Sequence, residues 1–331
     1  MKRKAEVSLG SDHKWRRGNK IGEGGLGSGH KLRRGKKMGK GGLGSGHKWR
    51  RGKKIGEGRF GSVFIAFSMR PYIISNHMPK AMAMKSAKIK DSDSIRYELE
   101  VFRELINEGG SCSSIIEHYG EEVTRSDEGE EIYNLALEIA WGSLAKLIEK
   151  TVHGLGQNHV RRYTRDILKG VEHIHKSGYV HCDLKPDNIL LLKNEDYIDQ
   201  YLCPYVAKVG DLGLAKKEEE VQERWRGTPM YLSPEAVEDN VQERPSDIWA
   251  VGCIVLEMLT GECPRNHFYD GESGTLHIVD GMEPKIPDTI SSLAKDFLEL
   301  CLAKVPEQRW TAEELLTTHP FVANLELDSD N

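Results

Sequence analysis

No uninterrupted apolar run in this 331-residue sequence is long enough to cross a membrane. The longest, from about Trp249 to Leu259, is roughly half a bilayer span and carries Glu257, so it reads as a buried core helix. Cysteine is sparse as well. Cys112, Cys182, Cys203, Cys253, Cys263 and Cys301 are scattered without a C-x-x-C pair, which argues against a disulfide scaffold. The opening MKRKAEVSLG has no apolar signal core. Together these absences imply a reducing intracellular compartment, cytoplasmic, nuclear or both. His13, His30 and His47 have no Cys or carboxylate at zinc spacing, so no metal site is expected there. With Gly counted in place of Tyr, the apolar share is ~45%, which fits a globular chain and excludes a mainly disordered or fibrous one. The length suits one large domain or two lobes.

The formal net charge of −4 hides an asymmetry: residues 1–54 carry +15 and the remainder −19. The basic part is an internal repeat. HKWRRGNKIGEGGLGSG (13–29), HKLRRGKKMGKGGLGSG (30–46) and HKWRRGKKIGEGRFGSV (47–63) follow one another without a gap. A period this short gives no repeat unit its own core. Each copy contains G-x-G-x-x-G, but only the third, with Gly56, Gly58 and Gly61, runs into a β-like segment, 62–67. Residues 1–48 are therefore expected to be a flexible basic tail with two partial duplications. Their Arg and Lys, with Trp15 and Trp49, leave contact with nucleic acid or an acidic partner as the alternative.

From Lys53 onward the pattern is that of a compact fold. A strand-rich stretch to about Ile139 contains one helix starting near Ser92 or Ser94, marked by Leu99, Phe102, Leu105 and Ile106 at helical spacing. Helices are predicted over 143–150, 158–177, 246–260, 291–302 and 311–317. A strand-rich lobe ahead of a helical one suggests a cleft between them.

A G-x-G-x-x-G motif by itself serves both dinucleotide-binding folds and kinases. Here Ile55 precedes the glycines and Val63 follows in a β-like run, so the motif joins strand to strand and lays backbone N–H groups over phosphates. Lys85 ends the short apolar strand 82–85, and Glu98 on the predicted helix is its candidate ion-pair partner. The segment YVHCDLKPDNILL (179–191) then resembles the catalytic loop of a protein kinase, with Lys185 in the Ser/Thr pattern. KVGDLG (208–213) resembles the metal-binding DFG element with Leu212 for Phe. GTPMYLSPE (227–235) resembles the substrate-docking segment, and Asp247 to Gly252 the start of the central buried helix.

The resemblance covers about residues 49–322 and implies an α+β, two-lobed protein-kinase fold. A small antiparallel β lobe with one main helix (49–139) and a larger, mostly α-helical lobe (143–322) would flank an ATP cleft, with an acidic tail at 323–331. It further implies catalytic roles for Asp183, Lys185 and Thr228, and Mg²⁺ ligation by Asn188 and Asp211. Ile55, Gly56, Gly58, Gly61, Val63, Ala83, Lys85, Glu98, Leu137, Glu138, Ala140 and Leu190 would form the ATP site. Backbone groups of Glu138 and Ala140 would meet the adenine beside gatekeeper Leu137. Arg309 is expected to pair with Glu235. The finer likeness, in WRRGKKIGEG, HCDLKPDN, GTPMYLSPEAV and RPSDIWAVGCIVLEMLTGECP, is to plant MAP kinase kinase kinases. It implies a MAP kinase kinase as substrate and no membrane contact. The alternative is a pseudokinase scaffold of the same fold, opposed by retention of Lys85, Glu98, Asp183, Lys185, Asn188 and Asp211.

Three departures stand out. Cys182 replaces the Arg that usually clamps a phosphorylated activation loop. The loop, DLGLAKKEEEVQERWRGT (211–228), has no Ser or Tyr and only Thr228, which the resemblance assigns to Asp183 and Lys185. Activation-loop phosphorylation is therefore not expected to switch this chain. Glu218, Glu219 and Glu220 are either a solvated charge run or a phosphate imitation beside Arg224 or Arg226. Finally, residues 68–80 are expected to form an exposed hairpin insertion.

Overall fold

The computed structural model describes residues 6–7, 49–58, 61–69, 79–193, 205–265, 267–270, 275–278 and 283–323. Apart from Glu6–Val7, residues 1–48 with the first two repeat copies lie outside these residues, as do most of the 68–80 insertion, Cys203 and most of the acidic tail. Glu6–Val7 pairs antiparallel with Thr275–Ile278.

The first lobe is a five-stranded antiparallel sheet built from β1 (Trp49–Gly58), β2 (Gly61–Ser68), β3 (Ala81–Lys88), β4 (His118–Arg125) and β5 (Glu131–Leu137), in the order β1-β2-β3-β5-β4. Two register shifts interrupt the pairing of β1 with β2 between Arg51 and Gly56. The ends of the insertion meet where Ser68 N–H donates to Lys80 O at 3.2 Å. Trp49, Ala66, Met82, Met84 and Ala136 fill one face of the sheet. Trp49 Nε1 donates to Glu122 at 2.7 Å, so the buried indole keeps a polar partner.

Helix α1 (Asp93–Gly109) crosses the other face. Ile95 and Leu99 pack with Tyr133 and Leu135 of the sheet, whereas Val101, Phe102 and Leu105 join the core of the second lobe. One helix thus belongs to two cores. Ile106 does not: it is 46% exposed, a correction to the expected apolar stripe, because Val101 and Leu105 take the buried face instead.

The second lobe is helical. Its main elements are α2 (Leu144–Ile148), α3 (Gln157–Lys176), α4 (Pro234–Asp239), α5 (Arg244–Thr260), α6 (Ser292–Cys301) and α7 (Ala312–Thr318). Each predicted helix is present to within about two residues. α5 is apolar on nearly every side and therefore lies in the centre, against α3 and α6. A capping box between Glu243 and Ser246 starts it, and Gly261 at φ 76° stops it. A hairpin of Ile189–Lys193 and Tyr205–Val209 sits at the cleft edge, with Ile189 opposite Val209. That register brings Asn188 and the chain after Val209 to the same end.

Candidate active site

The catalytic loop is held from below by a carboxylate. Asp247, in the first turn of α5, accepts from His181 N–H at 2.8 Å and Cys182 N–H at 3.1 Å, and from His175 Nε2 at 2.9 Å. Two consecutive backbone donors tied to one side chain keep Cys182 at φ 65°, a conformation few non-glycine residues adopt. His181 is fully buried, with both ring nitrogens engaged. Its Nδ1 accepts from Asp183 N–H at 3.2 Å while Nε2 faces Gly210 O at 3.2 Å, so the tautomer with its proton on Nε2 satisfies both.

Asp183 is almost buried and ringed by donors. Its Oδ1 accepts from the Thr228 hydroxyl at 2.7 Å and its Oδ2 from Lys185 Nζ at 2.8 Å. Lys185 also donates to Thr228 Oγ1 at 2.8 Å. Asn188 Nδ2 donates to Asp183 O at 2.8 Å and Oδ2 at 3.2 Å, so its amide group is spent on the loop and, among the described residues, its carboxamide oxygen is not. Gly210 N–H donates to Asn188 O at 2.9 Å and joins the loop to the next motif.

Across the cleft, Lys85 Nζ lies 2.7 Å from Glu98 Oε2 and 2.8 Å from Asp211 Oδ1. Burial opposes charge on this lysine, but Glu98 and Asp211 outweigh it and raise its pKa, so it stays an ammonium. Asp211 feels burial too, yet Lys85 holds it below the usual carboxylate range. Its φ of 58° is a second strained non-glycine backbone at the site. Leu212 is fully buried, so the aliphatic residue standing for Phe packs into the core without exposed surface.

The sheet register aligns the remaining predicted residues. Gly56 faces Val63, Val63 faces Lys85, and Ala83 faces Leu137. Gly61 is required by the fold: at φ 146° a Cβ would come within 2.5 Å of Ser86 O. Gly56 and Gly58 are not, since a Cβ would make ordinary contact at the first and meet nothing at the second. The packing around them therefore does not demand glycine at either position. Ile55 is part-buried on the same strand. Leu190 packs beneath Gly210, where a Cβ would come within 3.2 Å of it.

At the linker between lobes, one expectation is narrowed. Glu138 N–H already donates to Glu117 O at 2.8 Å, so only its carbonyl remains to meet a base. Its side chain is paired with Lys208 at 2.7 Å. Leu137 closes β5, with Ala140 three residues on.

Glu235 and Arg309 form the expected pair, bidentate at 2.7 and 2.8 Å. Three further features escaped the sequence reading. Asp247 as the loop's anchor was signalled only by a carboxylate opening an apolar helix. Tyr231 OH donates to Glu257 at 2.7 Å beneath the docking segment. Gln242, 3% exposed, sits between loops where nothing in the pattern marked it.

Among the described residues, no group of three or more His, Cys, Asp or Glu is arranged for a metal. None of their helices is long and apolar enough to cross a membrane. The family model described as the protein kinase domain matches residues 49–322. Mitogen-activated protein kinase kinase kinase 20 of Arabidopsis thaliana is 39% identical over 265 residues, covering 78% of this chain and 73% of its own. Mitogen-activated protein kinase kinase kinase 18 of the same plant is 38% identical over 258 residues, with 75% and 71% covered. The MAP kinase kinase kinase wis4 of Schizosaccharomyces pombe is 34% identical over 262 residues, covering 73% of this chain and 18% of its own.

Proposed function

Because the chain belongs to the protein kinase family, we propose that it is a serine/threonine kinase of the MAP kinase kinase kinase type, using Mg-ATP to phosphorylate MAP kinase kinases. Residues 49–322 would be its catalytic domain. The observation that carries this reading is that Lys85 and Glu98 of the first lobe meet Asp211 of the second, on the stretch of chain that Gly210 ties to Asn188 beside Asp183 and Lys185. A scaffold that has lost turnover has no need of both halves.

The residues fit the nucleotide and its cation. Gly56 and Gly58 leave open backbone, as phosphates require. Asp211 keeps Oδ2 and Asn188 its carboxamide oxygen, hard donors of the kind that hold Mg²⁺ together with phosphate oxygens. When bound, Mg-ATP supplies the transferable phosphoryl group and the cation that neutralises its charge. Lys85, fixed by Glu98, directs positive charge into the phosphate end of the cleft. Asp183 orients the substrate hydroxyl and accepts its proton. Lys185 places a second positive charge beside it, and Thr228 keeps both in position. Leu137, the Glu138 carbonyl, the Ala140 backbone, Ile55, Val63, Ala83 and Leu190 would enclose the base.

The test is transfer from Mg-ATP to catalytically inactive MAP kinase kinases, with Asp183→Asn and Asp211→Asn as controls. Each substitution should cut kcat by at least about two orders of magnitude. Transfer only to a generic acceptor retains the kinase and removes the substrate assignment. Absence of transfer from folded, nucleotide-binding protein overturns the reading in favour of the scaffold.

A further inference from the structure

The segment from Asp211 to Thr228 offers no Ser or Tyr for phosphorylation, and the residue that precedes Asp183 is an uncharged cysteine. Cys182 is buried, which pushes its thiol well above the ordinary range, and its Sγ donates to Val180 O at 3.6 Å. The segment is nevertheless fastened along its length. Lys216, 3% exposed, donates to Glu220 O at 3.0 Å. Arg226 reaches back across the loop to the Glu220 carboxylate, and to Ala215 O at 3.4 Å. Ala215 O also accepts from Tyr97 OH of α1 at 3.0 Å. Glu218, by contrast, pairs only at the exposed surface, with Arg244 at 2.6 Å.

The returning arm is held by one buried amide. Gln242 Oε1 accepts from Arg226 N–H at 2.7 Å and from Gln222 Nε2 at 3.0 Å. Its Nε2 donates to Arg226 O at 2.9 Å and, more weakly, to Cys182 O at 3.5 Å. A single side chain thus satisfies both backbone groups of Arg226 and touches the catalytic loop. Next in the chain is Gly227, where a Cβ would lie 2.3 Å from Cys182 O, so the two loops are in direct backbone contact. Thr228 follows, bonded to Asp183. An error in the register of Arg226 against Cys182 would carry directly to that bond.

We infer that Gln242, together with the Glu220–Arg226 pair, is a positioning clasp that holds the activation segment on the catalytic loop without a phosphate and so sets Thr228 against Asp183. The inference rests on the kinase reading above and extends it to how this site is kept in working order. Gln242 touches no reacting atom. It acts through Arg226 and Cys182.

Gln242→Met keeps the volume and removes the hydrogen bonds. It should lower kcat by about tenfold, the scale of one or two lost buried hydrogen bonds. The KM for ATP should stay as in the wild type. Trypsin should cut faster at Lys217, Arg224 and Arg226. Glu220→Gln should act in the same direction, and the double variant should fall short of the product of the two, as coupled residues do. Phosphatase treatment should leave wild-type activity unchanged. Leu315→Ala, remote in α7 and fully buried, serves as the control for lost stability. If Gln242→Met keeps wild-type kcat and cleavage, the clasp is overturned. It is overturned equally if Leu315→Ala reproduces both losses, or if phosphatase abolishes activity. Should the wild type transfer no phosphate, the kinase reading fails, while the trypsin comparison still decides the clasp.

Discussion

Arg309 shows what one side chain does when it is buried with all its donors engaged. Its guanidinium, with no solvent exposure, takes both oxygens of Glu235, donates to Ala303 O at 2.8 Å and Pro245 O at 3.0 Å, and lies 4.9 Å over the Trp249 ring. Burial pushes the Glu235 carboxyl up, but Arg309 outweighs it and brings the pKa below the ordinary value. Removing the arginine alone leaves that carboxylate buried and unpaired. Arg309→Ala should therefore destabilise the fold by about 3–5 kcal/mol in urea unfolding, the scale for breaking a buried pair. Arg309→Lys should recover little, because an ammonium does not match the bidentate fork. The Arg309→Met, Glu235→Gln pair should lose less than the sum of its parts. An Arg309→Ala loss within about 0.5 kcal/mol would assign the pair no structural weight.

At the scale of elements, α1 separates what the sequence carried from what it hid. The spacing of Leu99, Phe102 and Leu105 marked a helix and its buried side, and the helix is there. The same spacing placed Ile106 with them wrongly, since Val101 completes the stripe toward the second lobe. Leu105→Ala should cost about 2–5 kcal/mol, whereas Ile106→Lys should change stability by less than about 0.5 kcal/mol. Equal losses in a thermal or urea series would refute that assignment of faces. The catalytic motifs were legible because their spacing is local, within 181–188 and 208–213. Asp247 and Gln242 were not, because they act on the catalytic loop from 60 or more residues away, through contacts made only after α5 is seated. The linker was half legible. The sequence placed Leu137 and Glu138, but only strand pairing shows that Glu117 has already taken the Glu138 N–H.

At the scale of the whole molecule, the seat of the docking segment should give stability a pH dependence of unusual sign for a carboxyl. Burial pushes Glu257 from 4.5 up to about 7, the Tyr231 hydroxyl opposes this, and Asp187 adds to it. Between those values the folded chain holds a proton that the unfolded chain has released. The contribution is thus full below pH 4.5, falls as pH rises, and is lost above 7, about 3 kcal/mol in all. Glu257→Gln should remove this window, so the variant should gain on the wild type between pH 5 and pH 8 in denaturant unfolding. A constant difference across that range would show that the carboxyl titrates normally. The loop fastening has a different consequence. A group added by another enzyme can be taken off within minutes, but a glutamate written into the chain is removed only with the chain itself. The length of any signal such a molecule sends would then be timed by its synthesis and destruction, and its half-life would do the work that a phosphatase does elsewhere.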